Sequence, residues 1–349
     1  MNRRIVTISV GLAAAGLLAA GCGGSGGGDK PAASATASGK DAKDARTGDK
    51  GDKAAAAPII TVAQANAVLD NYQKINNEAN TTQDTAKLGT IEAGALFQED
   101  SAAYKQYPKL SAKDRKGYYE PFTYSRRQFF IPSTGSWFMA SADTGNTLQV
   151  IVFQQQSGGH WKMVVADNYK GTLPALAKGS DGAPVVVAPD ATVGATDLSG
   201  LGGAVADLRA SGGAKAGGRL ADSAVRRAAV KDHTTRNDHW GRYKTCLRTD
   251  YEAAGDKWDS AYTKYPDVYA LKAADGGALV ASTSYFVKLE FSTRPDTCTV
   301  VPGGATTAYL HGDQTGVRSR YASLDVISVP AAGKPVQLGG DTYLIGASS

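Results

Sequence analysis

The chain has 349 residues, 42% of them hydrophobic and 20% charged, with 38 Lys and Arg against 33 Asp and Glu. That length predicts roughly two domains of about 100 to 150 residues. An ordinary charged fraction, with a formal net charge of +5 spread along the chain, excludes both an acidic disordered protein and a histone-like polycation. No nucleic-acid partner is implied.

Arg3 and Arg4 precede an apolar run from Ile5 to Ala20, and Leu18-Ala19-Ala20-Gly21 leads into Cys22. The run of about 16 residues suits a signal-peptide core and falls short of the roughly 20 that a spanning helix needs. Residues 1–21 therefore read as a leader, exported by either the general or the twin-arginine route. The small residues before Cys22 resemble the bacterial lipobox. That resemblance implies a diacylglyceryl, palmitate-type modification of the Cys22 thiol and cleavage after Gly21, which lowers the formal charge from +5 to +3. The competing reading is an uncleaved anchor with an incidental cysteine. Two acyl chains, at about 0.8 kcal/mol per buried methylene, anchor stably where one is marginal. The expected location is the extracytoplasmic face of the cell membrane, with the lipid as the membrane contact.

Residues 23–57 hold no aromatic residue and no Val, Ile, Leu or Met. Such a segment cannot bury enough apolar surface to offset its chain entropy, so 22–57 is expected to be a disordered tether reaching roughly 30 to 35 Å. A first domain is expected over 58–178, a partly packed linker over 179–195 and a second domain over 196–349. Thr61 and Gln64 form a capping-box pattern, and Ala65, Val68, Leu69, Tyr72, Ile75 and Ala79 trace one apolar helix face. A second helix is expected over about 84–107. The period then changes to two, predicting strands at 122–131, 137–142, 148–156 and 161–166.

The second half repeats the order. Helices are expected from Leu198 to Leu208 and from Leu220 to His233, joined by a flexible Gly-rich loop at 211–218. Strands are expected at 243–251, 268–274, 279–292, 317–329 and 342–346. Tyr285, Val287, Leu289 and Phe291 alternate with Phe286, Lys288, Glu290 and Ser292, which predicts one wet face. Trp137–Gly145 (WFMASADTG) and Tyr269–Gly277 (YALKAADGG) align, suggesting a duplicated module. Tyr104–Pro108 and Tyr262–Pro266 also look alike, but at incompatible distances from those turns. The expected class is α+β, two helix-then-antiparallel-sheet domains. In this element order each module resembles the NTF2-like or cystatin-like superfamily. With the lipobox and the Ala/Gly-rich tether, the whole chain resembles uncharacterised actinobacterial lipoproteins with such domains. The resemblance carries no catalytic residue into this sequence.

Once Cys22 is lipidated, Cys246 and Cys298 remain, and in an oxidising compartment they are expected to form one disulfide. A metal or redox pair is the competing reading, without a CxxC motif or a histidine at ligand spacing to support it. No HExxH or P-loop occurs, and the GxSxG match at Gly23–Gly27 lies in the tether. No metal site, cofactor or catalytic residue is therefore assigned. His160 and His311 read as turn residues. Asp232, His233, Asp238 and His239 cluster near a helix end, but adjacent helical residues point about 100° apart, so Asp232 is poorly placed to orient His233. Residues 219–248 carry a local charge of +5. Arg226, Arg227, Lys231, Arg236 and Arg242 are its candidate contacts for an anionic envelope polymer or surface, against a reading as a solvated helix face. Tyr104, Tyr107, Tyr118, Tyr119, Tyr262 and Tyr265 could line a groove or simply pack. The function expected is a non-enzymatic, lipid-anchored binding or scaffolding module that contacts an envelope polymer or another envelope protein. The alternative is a small-ligand pocket protein or an NTF2-like hydrolase or isomerase.

Overall fold

A computed structural model describes residues 57–238, 241, 243–253 and 268–349. The leader, Cys22, all but the last residue of the expected tether, His239, Arg242 and the Tyr262–Pro266 stretch lie outside the described residues. The described chain is α+β, helices followed by antiparallel strands in each half.

The helical layer starts as the sequence predicts. Thr61 accepts from the Gln64 N–H at 3.2 Å, and Gln64 Oε1 accepts from the Thr61 N–H at 2.9 Å, so the capping box opens α1 (Val62–Thr82). Its buried face is Ala65, Leu69, Tyr72, Asn76 and Ala79. The single helix expected at 84–107 is interrupted. α2 (Thr85–Ile91) stops at the extended Glu92, and α3 (Gly94–Gln106) restarts at Gly94, whose φ of 63° a side chain would resist. Glu92 bridges to Met163, and the Ala93 N–H donates to the Met163 carbonyl at 3.1 Å, so strand-like pairing outcompetes helix propagation there. A 3-10 turn (Tyr107–Lys109) and α4 (Ala112–Tyr119), capped by Ser111, complete the layer.

β1 (Tyr124–Phe130), β2 (Trp137–Thr144), β3 (Thr147–Gln155) and β4 (Trp161–Tyr169) form an antiparallel meander in chain order. The register of β1 shifts between Ser125 and Gln128, where Arg126 takes φ 46° and pairs with Asp143 of β2. The second half contributes β5 (Val186–Val187), the short hairpin of β6 (Thr192–Val193) and β7 (Thr196–Asp197), α5 (Leu201–Ser211), α6 (Ala224–Thr235) and α7 (Tyr243–Cys246). β8 (Leu247–Ala253), β9 (Val268–Lys272), β10 (Ala278–Ser292), β11 (Gly316–Val329) and β12 (Val336–Ser348) follow. The larger sheet runs β12-β11-β10-β9-β5. β9 pairs with Ala278–Ser282 of β10, and β8 pairs with Phe286–Ser292.

Three local expectations change. The strand foreseen from Tyr243 begins instead as the single turn α7. The helix foreseen from Leu220 starts at Ala224, where Ser223 Oγ accepts the Arg226 N–H at 3.1 Å. The loop at 211–218, foreseen as flexible, is organised by a buried carboxylate. Asp207 Oδ2 accepts the N–H groups of Lys215, Ala216 and Gly217 at 3.0, 2.7 and 2.9 Å, while Oδ1 accepts the Ser211 hydroxyl. Burial pushes the Asp207 carboxyl up, but these hydrogen bonds to its ionised form outweigh that and hold it below the usual range.

The wet face predicted for β10 is also overturned. Leu279, Ala281 and Tyr285 join a core shared with α1, α3 and the first sheet, whereas Ala278 and Val280 join a second core beneath α5. Covered on both faces, β10 buries Phe286 (3% exposed) against Tyr321, the rings near-parallel with centroids 5.0 Å apart, and leaves Phe291 41% exposed near its end. The core joins the two halves of the chain, since Leu324 and Val326 of β11 pack with Leu96, Ile151 and Val165 in one cluster. β4 lies directly on β12: the Lys170 N–H donates to the Leu338 carbonyl at 3.1 Å, and Gly339 faces the Asn168 backbone so closely that no Cβ fits. The aligned stretches at 137–145 and 269–277 differ in local structure. Asp143 is a paired strand residue, whereas Asp275 sits in a turn and accepts the Gly277 N–H.

Candidate functional site

Where α1, α3, β4 and β12 converge, they leave a recess of about 50 Å³. Asn80 and Asn76 enter it from α1, Glu99 and Asp100 from α3, and Asp341 and Tyr343 from β12, while Tyr104, Tyr118 and Asn168 complete its polar wall. A hydrogen-bonded chain runs inward from its rim. The Tyr104 hydroxyl donates to Asn80 Oδ1 at 3.0 Å, Asn80 Nδ2 to Asn76 Oδ1 at 2.8 Å, and Asn76 Nδ2 to Glu92 Oε1 at 3.2 Å. Asn168 Nδ2 donates to Asp341 Oδ2 at 2.8 Å. The lining holds three acids and no Lys, Arg or His. Burial raises the Tyr343 phenol, and Tyr118, Asp100, Glu99 and Asp341 raise it further. Such a lining accepts hydrogen bonds and favours positive charge. No group of three or more His, Cys, Asp and Glu among the described residues is disposed to hold a metal ion. Inward of the recess the space between layers is filled, with Tyr72, Leu96, Phe153 and Met163 fully buried.

Behind β12 lies a second polar group. Asp325 of β11 is 0% exposed and accepts from Gln337 Nε2 at 2.7 Å, Ser323 Oγ at 3.3 Å and Ser284 Oγ at 3.4 Å. Burial lifts its carboxyl to about 7 against the opposing pull of those hydrogen bonds and of Arg209. Asp167 of β4 is equally buried. Burial raises its carboxyl first, then Asp341, Asp325 and Glu99. Arg209 lies over the Phe286 ring, 5.2 Å from its centroid, and donates to Thr342 Oγ1 at 3.1 Å. The sequence reading singled out none of Glu99, Asp167, Asp325 or Asp341. The available signal was an acid inside an apolar strand run, as in Ser323-Leu324-Asp325-Val326 and Val165-Ala166-Asp167.

The cations read from the sequence are divided by the fold. Arg236 (13% side-chain exposure) is turned inward: it bonds Asp250 at 2.7 Å, donates to the Arg209 carbonyl at 3.0 Å and lies over the Tyr251 ring. Arg227 pairs with Asp222. Arg226 is half-buried, and Lys231 shares the outward stripe of α6 with Arg227. His233 Nδ1 lies 2.9 Å from Arg236 Nη1 and 3.3 Å from the Arg209 carbonyl oxygen. Burial raises the Tyr251 phenol, and Asp232 and Tyr321 raise it further. His160 stands at the β3–β4 turn beside Gly158 and Gly159, and His311 lies in the β10–β11 connection. Tyr104 and Tyr118 line the recess, while the Tyr107 hydroxyl donates to Tyr119 at 2.7 Å on the surface. Cys246 and Cys298 are joined, tying the start of β8 to the β10–β11 connection.

Residues 56–349 match the family described as "Domain of unknown function (DUF8094)". Over 299 residues the chain is 30% identical to the "Uncharacterized lipoprotein SCO6871" of Streptomyces coelicolor (strain ATCC BAA-471 / A3(2) / M145), covering 82% of this chain and 81% of that protein. No solved structure matches. No helix among the described residues is long and apolar enough to cross a membrane. With the match spanning both sheets and every described helix, the chain belongs to the DUF8094 family.

Proposed function

We propose that this protein is anchored by lipid at Cys22 on the extracytoplasmic face of the cell membrane and acts there as a non-enzymatic binding or scaffolding module. The observation that carries this reading is the lipobox-like Leu18-Ala19-Ala20-Gly21-Cys22 placed upstream of the family domain, in a chain whose Streptomyces relative is named a lipoprotein. The filled space between its layers supports contact through the surface. Of the candidate cations of α6, Arg236 is occupied within the fold and Arg227 is paired with Asp222. The helix-then-sheet order supports kinship of each half with NTF2-like or cystatin-like modules.

Mass spectrometry of the membrane-extracted protein tests the anchoring. Diacylglyceryl mass on a peptide beginning at Cys22 is expected, and Cys22→Ala should move the protein out of the membrane fraction. A bare thiol on a retained leader would defeat the proposal.

A second reading, a pocket for a small cationic or polyhydroxylic ligand, is favoured by the acid-and-amide lining of the recess. Thermal stabilisation by small amines or sugars, lost in Asp341→Asn, would support it. Stabilisation equal in both proteins would not.

A further inference from the structure

The most cationic stretch of the sequence is not the most available one in the fold. The last turn of α3, the 3-10 turn and α4 carry Lys105, Lys109, Lys113, Arg115 and Lys116 against Asp114 and Glu120. Among the described residues none of these five cations forms an ion pair, whereas Arg227 and Arg236 of the α6 region both do. Lys105 lies over the Tyr309 ring, 4.5 Å from its centroid. On α4 the exposed positions Lys113, Lys116 and Tyr119 follow at three-residue steps, forming one outward stripe, while Tyr118 is buried on the opposite side. Tyr119, 54% exposed, is steadied by the hydroxyl of Tyr107, so a phenol stands at the end of a row of ammonium groups. Ammonium groups on long apolar stems beside an amphipathic ring suit a bilayer interface, where charges meet headgroup phosphates and the ring sits at headgroup depth. Asp114, which accepts from the Ser111 hydroxyl, and Glu120 offset two of the five cations and leave the stretch a net charge of +3.

From these observations we infer that the Lys105–Tyr119 face docks on an anionic phospholipid bilayer and lays the folded body against the membrane. The occupant follows from charge complementarity and from the length of chain ahead of α1. The length of 35 residues between Cys22 and Pro58, for which coil statistics give roughly 30 to 35 Å, allows α4 to meet the surface that holds the acyl groups. The inference rests on the anchoring proposed above, which brings an anionic bilayer within reach. A missing acyl group at Cys22 would remove that anchoring without altering the affinity measured below.

The test uses the mature chain carrying Cys22→Ser, so that acyl chains contribute nothing, and flotation with phosphatidylglycerol-containing or pure phosphatidylcholine vesicles. Binding to the anionic vesicles, weakened by salt, is expected, with little binding to phosphatidylcholine. Lys116→Gln should lower the partition coefficient about fivefold, and Lys113→Gln with Lys116→Gln about 30-fold. The charge-matched pair Arg227→Gln with Lys231→Gln should leave it unchanged. Equal binding to both vesicle types would overturn the inference. So would loss in the α6 variant rather than the α4 variant, or retention on polyphosphate without vesicle binding.

Discussion

Replacing Asp325 by Asn tests the interior of the larger sheet. Asp325 has no solvent exposure, and its carboxyl stands near 7 instead of 3.8 because burial disfavours its charge. A group whose folded pKa is raised binds more protons in the folded state, so stability falls as pH rises from the unfolded value toward the folded one and then levels off. The interval of roughly three units corresponds to on the order of 4 kcal/mol by the conversion of about 1.4 kcal/mol per unit. Asn keeps the shape and can still accept from Gln337 Nε2 while removing the ionisation. Near pH 3.5 the variant and the parent should therefore differ little, and near pH 8 the variant should be the more stable by a few kcal/mol. Denaturant titrations of both proteins across that range measure the difference directly. Because other titrating groups contribute to both, the pH dependence of the difference is the diagnostic. A difference that stays flat across this range, or that grows toward acid, would refute the assignment of a buried, reluctantly ionised carboxyl.

Asp207→Asn should weaken three N–H bonds to one carboxylate oxygen and cost about 1.5 to 3 kcal/mol. The carboxyl is depressed in the fold, so the parent's advantage should be present above the unfolded pKa and vanish as pH falls through the folded value, which acid-denaturation curves of the pair will show. Gly339→Ala sets a Cβ against the Asn168 backbone and should cost about 1 to 3 kcal/mol, whereas Gly346→Ala on the same strand meets open space and should be near neutral. Equal urea midpoints for these two variants would contradict the close crossing of β4 and β12. Cys246→Ser with Cys298→Ser opens a loop spanning 52 residues and should lower stability by up to about 4 kcal/mol, matched by reduction of the parent.

Much of the local structure was legible in the residues. The capping box of Thr61 and Gln64 needs no distant partner, and the predicted ends of β1 to β4 lie within three residues of those observed, because period-two alternation and Gly-containing turns are properties of the segment itself. The lipobox resemblance before Cys22 likewise rests on composition and spacing. Cys246 and Cys298 could be paired because they were the two thiols left.

What tertiary structure decided is which surfaces are covered. Alternation along Tyr285–Ser292 predicted a wet face, but Arg209 of α5, Tyr251 of β8 and Tyr321 of β11 cover Phe286, and no periodicity within a strand announces a layer contributed from elsewhere in the chain. Charge counts pointed to residues 219–248. The fold draws Arg236 inward to Asp250 and leaves Lys113 and Lys116 outward, a distinction made by partners distant in sequence. Asp167, Asp325 and Asp341 are 16 residues or more apart along the chain. Their mutual influence exists because β4 crosses β11 and β12, and the resulting loss of solvent around their carboxyls is a property of the assembled layers that no single segment carries.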